Sequence, residues 1–266
     1  MGRPSKMLTK RLLTAAVGIP ILIGLLIFGG WVLVLGLGIL ASIMVYEMSL
    51  MMKHAGLTYF PWLAGIFVWA FFIAVPLAWP LGLLMALLAV FSAAKTLWVS
   101  APLGFQGAVN TLWSGLYLGW FFSFFVRIRD LSHGWYLAFG FIVVIWLTDT
   151  AAYFVGRRFG RHKLTLRVSP GKTWEGSLGG TGAGMLAGMA LAYGAQVPLW
   201  QGLLLGLVIS VAGQIGDLVE SNLKRYTGVK DSGSVLPGHG GMLDRFDSAL
   251  VALPLAYYLL WGLGIR

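Results

Sequence analysis

Seven of the nine acidic residues in this chain lie between positions 149 and 247: Asp149, Glu175, Asp217, Glu220, Asp231, Asp244 and Asp247. Carboxylates in or beside apolar sequence are costly to hold, and they mark functional positions by default. Asp217 and Glu220 are three residues apart, and Asp244 and Asp247 repeat the spacing. On a helix, positions 217, 220, 221 and 224 share one face, which aligns Asp217, Glu220, Ser221 and Lys224. Two carboxylate pairs flanking a basic loop make an oxygen-rich set suited to a hard cation such as Mg²⁺. Asp217, Glu220, Asp244 and Asp247 are the expected ligands. The plainer alternative is a set of salt bridges with Lys224, Arg225 and Arg245.

Between the pairs run Lys230-Asp231-Ser232-Gly233 and then Pro237-Gly238-His239-Gly240-Gly241. Glycines permit close backbone approach and leave amides exposed, which suits a loop folding around phosphate; a plain connection uses the same residues. His239 alone does not distinguish a metal ligand from a phosphate donor or a structural donor. Upstream, Asp149 lies well inside an apolar stretch, with Tyr153 one helical turn later. Beyond the basic stretch Arg157 to Lys163 comes Ser169-Pro170-Gly171-Lys172-Thr173-Trp174-Glu175-Gly176. Its Gly-Lys-Thr is not a P-loop: the motif's first glycine would fall at Leu166, and no soluble strand precedes it. A basic, Pro-Gly-bent loop at a helix start still suits an anion. Gly176, Gly180, Gly184 and Gly188 recur every four residues, the pattern of close helix packing in membranes. Glu47 either pairs with Lys53 or contributes to a site.

The elements that position these residues follow from composition. The chain has 266 residues, 58% hydrophobic and only 11% charged, with no cysteine. Soluble domains carry about 25% charged residues, so a soluble globule is excluded, as is a disordered polymer. Disulfides, thiolate metal sites and cysteine nucleophiles are excluded together. Nine apolar segments stand out: 12–29, 31–52, 62–80, 81–94, 109–126, 135–156, 175–195, 199–222 and 247–263. Most are long enough to cross a hydrocarbon core of ~30 Å, and 81–94 is the short one. Continuous apolarity argues for helices and against alternating barrel strands. The expected fold is therefore an all-α polytopic membrane protein of about nine transmembrane helices. One membrane domain spans 1–266, with apolar helices over 1–134 and the chemistry over 135–266.

Basic residues collect on the cytoplasmic side of membranes. With the N-terminus inside, nine spans put sixteen of the nineteen Lys and Arg inside: Arg3, Lys6, Lys10, Arg11, Lys53, Lys95, six in loop 157–174 and four in loop 223–246. Only Arg127, Arg129 and Arg266 fall outside. Loops 157–174 and 223–246 are thus expected to face the cytoplasm from a plasma (inner) membrane. The run after the basic N-terminus is too long for a secretory signal core and is read as an uncleaved helix. Charge set by topology and by anionic headgroups leaves no case for nucleic acid.

The run Ser221-Asn222-Leu223-Lys224-Arg225, then Lys230-Asp231, then Leu236-Pro237-Gly238-His239-Gly240-Gly241-Met242-Leu243-Asp244-Arg245-Phe246-Asp247 resembles the signature of the phosphatidate cytidylyltransferases. The Asp149-to-Tyr153 segment and the stretch Ser169 to Gly176 are similar to further motifs of that family. The resemblance covers roughly 146–250. It implies transfer of cytidylyl from CTP to phosphatidate, giving CDP-diacylglycerol and pyrophosphate, with one or two Mg²⁺ ions. The catalytic set it implies is Asp217, Lys224, Arg225, Lys230, Asp231, His239, Asp244, Arg245 and Asp247. The substrate-binding set is Asp149, Tyr153, Lys163, Ser169, Lys172, Thr173, Glu175, Ser221, Gly240 and Gly241. Asp217 and Asp244 lead as metal ligands, followed by Glu220 and Asp247. The expected partners are CTP, bilayer phosphatidate and membrane lipid, and a homo-oligomer is compatible with them. Two rivals remain: a CTP-dependent polyprenol or phytol kinase, and an ion-coupled transporter, which would ordinarily show two related halves.

Overall fold

The structure, a computed structural model, describes residues 4–236, 238 and 240–265, without the side chains of 4–13 and 15. Arg3, Pro237, His239 and Arg266 lie outside the described residues, as do the side chains of Lys6, Lys10 and Arg11. The helices are α1 (Pro4–Phe28), α2 (Gly30–His54), α3 (Pro61–Ala74), α4 (Leu81–Lys95), α5 (Leu103–Ser114), α6 (Phe122–Arg129), α7 (Gly134–Phe159), α8 (Trp174–Gly194), α9 (Leu199–Tyr226) and α10 (Leu243–Gly262). Helix is the economical solution for apolar sequence in lipid, because each segment satisfies its own backbone.

Eight of the nine apolar segments expected from the sequence lie almost wholly on helix, and the ninth, 62–80, is helical only as far as Ala74. Among the described residues, four helices are long and apolar enough to cross a membrane: Gly30–His54, Leu81–Trp98, Gly134–Phe159 and Leu199–Tyr226. The short segment at 81–94 is thus among them, extended by a 3₁₀ turn at Thr96–Trp98. Ala16–Phe28 and Pro61–Ala74 are shorter apolar helices. Phe28, Ile66, Val90, Leu178 and Leu186 are all more than half exposed. Water would penalise so broad an apolar surface, whereas lipid favours it. The protein is a helical membrane protein.

The all-α expectation needs one correction. Residues 157–174, expected as a bent loop, contain an antiparallel hairpin of β1 (Lys163–Thr165) and β2 (Ser169–Thr173), pairing Lys163 with Thr173 and Thr165 with Ser169. Pro170 is tolerated because a two-stranded ribbon leaves one side of each strand unpaired.

The chain divides into two compact units that interleave in sequence: Met1–Val126 with Lys224–Phe246, and Arg127–Leu223 with Asp247–Arg266. In the first, the Thr58–Phe60 connection is pinned to α5. Phe60 N–H donates to Thr111 Oγ1 at 3.0 Å, and Asn110 Nδ2 donates to the Thr58 carbonyl at 2.8 Å. From Ser114 the helix widens into a π-helical stretch, Gly115–Phe121, before α6. There Gly119 lets α3 approach, since a Cβ would stand 3.0 Å from Val68 Cα and 2.9 Å from the Phe71 ring. Phe71, Phe72, Tyr117, Phe122, Met44 and Met48 fill the core. Phe246 packs on Phe122 with ring centroids 5.2 Å apart, seating the 224–246 segment in this unit.

In the second unit the four-residue glycine repeat does what its spacing implies. A Cβ at Gly176 would stand 2.7 Å from the Ala152 carbonyl, and one at Gly180 would stand 2.8 Å from that of Thr148. Gly188 meets the Gly202 carbonyl backbone to backbone. So α8 lies close against α7 and α9 through a stripe without side chains. Polar side chains fasten the same interface. Thr148 and Ser210 share a buried 2.8 Å hydrogen bond, and Gln214 Nε2 donates to Thr181 Oγ1 at 3.0 Å.

Candidate active site

The residues singled out in the sequence gather in two groups, one in each unit. In the second unit, β2 carries Lys172 to α9. Lys172 Nζ stands 2.6 Å from Asp217 Oδ2, with both side chains about three-quarters buried at 26% and 31% exposure. Ser221 Oγ donates to Asp217 Oδ1 at 3.2 Å, one helical turn along. Asp149 of α7 lies within electrostatic reach of both Asp217 and Lys172. Two motifs distant in sequence therefore meet in a carboxylate, a hydroxyl and one ammonium.

The hairpin is held at both ends. Thr173 caps α8, its Oγ1 accepting from Gly176 N–H at 3.1 Å, a contact worth about 1 kcal/mol in helix stability. Gly156 and Gly160 leave room for it, since a Cβ at Gly160 would stand 2.7 Å from Thr173 Oγ1. Glu175, expected at the substrate, turns instead to the hairpin's entry. It accepts the N–H groups of Arg161 and His162 at 3.1 and 3.2 Å, and stands 2.6 Å from His162 Nδ1. Tyr153, exposed on α7, accepts from Arg157 Nη1 at 3.1 Å. Lys163 is exposed on β1, and Ser169 opens β2.

The alignment of Asp217 with Glu220 is looser than its spacing suggested. Three residues leave the two about 60° apart around the helix. Asp217 reaches Lys172, whereas Glu220 is fully buried at 0% exposure. Asp247 Oδ1 accepts the N–H of Ser248 at 2.7 Å, within the first turns of α10.

In the first unit Asp244 organises the glycine-rich loop. Its Oδ1 accepts Lys224 Nζ at 2.7 Å, and the Asp244 side chain is only 7% exposed. Its Oδ2 accepts Ser232 N–H at 3.1 Å, Ser232 Oγ at 3.0 Å and Gly241 N–H at 2.8 Å. The salt-bridge alternative thus holds for Lys224, which the structure pairs with Asp244. Gly240 has φ +86°, and a Cβ there would stand 2.9 Å from Asp244 Oδ2. Both constraints require glycine. Arg225, Lys230, Asp231 and Arg245 are exposed around this loop.

Two further residues, absent from the sequence-derived set, complete the loop. Glu47 of α2 accepts the N–H groups of Met242 and Leu243 at 2.8 and 2.9 Å, and the Ser232 hydroxyl at 3.3 Å. Its carboxylate therefore answers the loop. An acidic residue inside an apolar span was the available signal for Glu47; Ser232 carried none beyond its place between Asp231 and Gly233.

Among the described residues no three His, Asp or Glu side chains gather into a metal cage. Mg²⁺ does not need one. It is commonly held by one or two carboxylates, with waters and substrate phosphates completing the shell. Asp217, offset by a single ammonium, is a donor of that kind, and Asp149, which interacts with it electrostatically, is another. Asp244 fits less simply, since a cation on its Oδ1 must replace Lys224.

A model of the cytidylyltransferase family matches residues 9–263. The phosphatidate cytidylyltransferase of Bacillus subtilis (strain 168) is 48% identical over 150 residues, covering 55% of this chain and 56% of that protein. Those of Staphylococcus aureus (strain COL) and Staphylococcus epidermidis are 47% and 48% identical over 159 residues, covering 59% of this chain and 60% of each relative. The matched part is less than two thirds of each relative's length.

Proposed function

The chain belongs to the cytidylyltransferase family, and on that premise we propose that it transfers cytidylyl from CTP to phosphatidate, giving CDP-diacylglycerol and pyrophosphate. The observation that carries the reading is the meeting of Lys172 Nζ with Asp217 Oδ2 at 2.6 Å. It sets an ammonium and a carboxylate together in an apolar helical unit, as a reaction between a polyphosphate and a lipid phosphate requires. The relatives' names point to the same substrates.

The phosphate of phosphatidate is anionic at neutral pH and needs no general base. One of its oxygens attacks the α-phosphorus of CTP, and the bond from that phosphorus to the bridging oxygen of pyrophosphate breaks. The protein's task is to hold two anions together and to neutralise the charge growing on the leaving group. Lys172 lies where it can bind a phosphate oxygen by exchanging its partner Asp217. In the other unit, Lys224, Arg225, Lys230 and Arg245 are cations of a kind that pairs with phosphate oxygens. The loop amides around Gly240 and Gly241 suit a phosphate oxygen. Asp217, with Asp149, would hold Mg²⁺, which when bound shields the triphosphate and polarises the α-phosphoryl group. Glu220, Asp244 and Asp247 are secondary candidates. We place the nine helical segments across the plasma membrane with loops 157–174 and 223–246 cytoplasmic, on the basic-residue asymmetry.

The test is purified protein in detergent with phosphatidate, Mg²⁺ and CTP labelled at the α- or γ-phosphorus. The proposal expects α-label in the lipid and γ-label in pyrophosphate. Label from the γ-position in lipid would identify a kinase, and no lipid product from either would end the enzymatic reading.

A further inference from the structure

Glu47 is the single acidic residue in the first 126 positions, and it sits on α2 at 0% exposure. A carboxyl group so placed needs donors, and it has two loop amides and a share of the single Ser232 hydroxyl proton, all from 185 or more residues away. Two are amides at the start of α10, where the helix leaves N–H groups unsatisfied and its dipole favours an anion. The loop is also shaped around this carboxylate. A Cβ at Gly233 would stand 2.7 Å from Glu47 Oε1, and one at Gly241 would overlap Ser232 Oγ and stand 2.8 Å from Glu47 Oε2. Ser232 then links Glu47 to Asp244, which binds Lys224. Both ends of the glycine-rich loop, at Ser232 and at Gly241–Leu243, are therefore fastened to buried carboxylates, and one of these belongs to a helix outside the signature.

We propose that Glu47 is a positioning residue that holds Ser232, Gly233 and Gly241–Leu243 in the arrangement that receives CTP. The inference rests on the functional reading above. A glutamine at position 47 keeps the size but offers one acceptor oxygen and turns an NH₂ toward donors, so at least one amide of the loop loses its partner. The competent fraction of the loop then falls. A ligand that binds only the competent form sees its apparent affinity reduced by that fraction, while saturation restores turnover. Simple loss of folded protein does the reverse, lowering kcat and leaving KM alone.

The experiment compares wild type, Glu47→Gln and Ser232→Ala in phosphatidate-containing detergent micelles, varying CTP at saturating phosphatidate and then the converse. Deuterium uptake of Ser232–Leu243 is followed in parallel without substrates. Glu47→Gln should raise KM for CTP roughly tenfold or more, as expected for losing a hydrogen bond to a charged group. Its kcat should stay within about threefold, and its KM for phosphatidate should not change. Uptake should rise in the loop and not in α3. An unchanged KM for CTP, with kcat either intact or reduced, overturns the proposal. If Glu47→Gln fails to fold, Ser232→Ala carries the same test with a smaller expected rise, and an unchanged KM there overturns it equally. A wild type inactive on CTP and phosphatidate would sink the functional reading alone. The uptake comparison would then decide whether Glu47 orders the loop, and unaltered uptake would refute that too.

Discussion

Replacing Lys172 with methionine should tighten cation binding while slowing the reaction, and the opposite signs make the test sharp. The set Asp149, Asp217 and Lys172 carries a formal charge of −1 with the ammonium present and −2 without it. Lys172 Nζ lies 2.6 Å from Asp217 Oδ2, so an ion held by Asp217 sits close to it. A charge of +1 and one of +2 about 6 Å apart repel by roughly 5 kcal/mol at an effective dielectric of 20. The pair is 26% and 31% exposed, and water and counterions remove much of that repulsion, leaving about 1.5–3 kcal/mol. Lys172→Met should therefore bind a divalent ion roughly tenfold to a hundredfold more tightly. Its turnover should fall about 100-fold, because a charge that stabilises the transition state is gone. Asp217→Asn should show the reverse binding effect, at least about tenfold weaker, with a comparable loss of turnover. Mn²⁺ titration followed by electron paramagnetic resonance gives the affinity without nucleotide, and pyrophosphate release gives the rate. Unchanged or weaker Mn²⁺ binding in Lys172→Met would refute the placement of the cation beside Asp217.

Three further outcomes follow from other parts of the molecule. Gly184→Val drives a side chain onto Ser210 and Thr148 and should cost about 2–4 kcal/mol, whereas Gly182→Ala, with nothing within 4 Å, should leave thermal unfolding in detergent unchanged. Cysteines introduced singly at Ser169 and Ser234 into this cysteine-free chain should resist impermeant thiol reagents in intact cells and react after lysis; labelling from outside would reverse the orientation. Transfer should be direct, because no thiol is present and the acceptor phosphate is itself a nucleophile. Enzyme incubated with α-labelled CTP alone should keep no label after denaturation, and His239→Gln should retain activity.

The membrane-helical character was legible because lipid leaves apolar sequence only one common solution, and the glycine repeat was legible because its four-residue period is itself a packing geometry. The hairpin was not. Its strands have three and five residues, include Pro170 and Gly171, and depend on contacts made elsewhere: Thr173 on Gly176 and Glu175 on Arg161 and His162. The site shows the same division more sharply. A carboxylate in apolar sequence states a need for donors or cations, and that need can be read from residue type and position alone. Which group meets the need depends on tertiary packing. Asp217 is met by a lysine from the hairpin, Asp244 by Lys224 and loop amides, and Glu47 by the start of α10. Residue type and spacing alone thus do not separate a carboxylate that holds a cation from one that, like Asp244, accepts the amides of a glycine-rich loop. On the proposed function, one part of the signature faces the substrates and another, through Asp244 and Ser232, holds the glycine-rich loop, with Glu47 joining it from outside the signature.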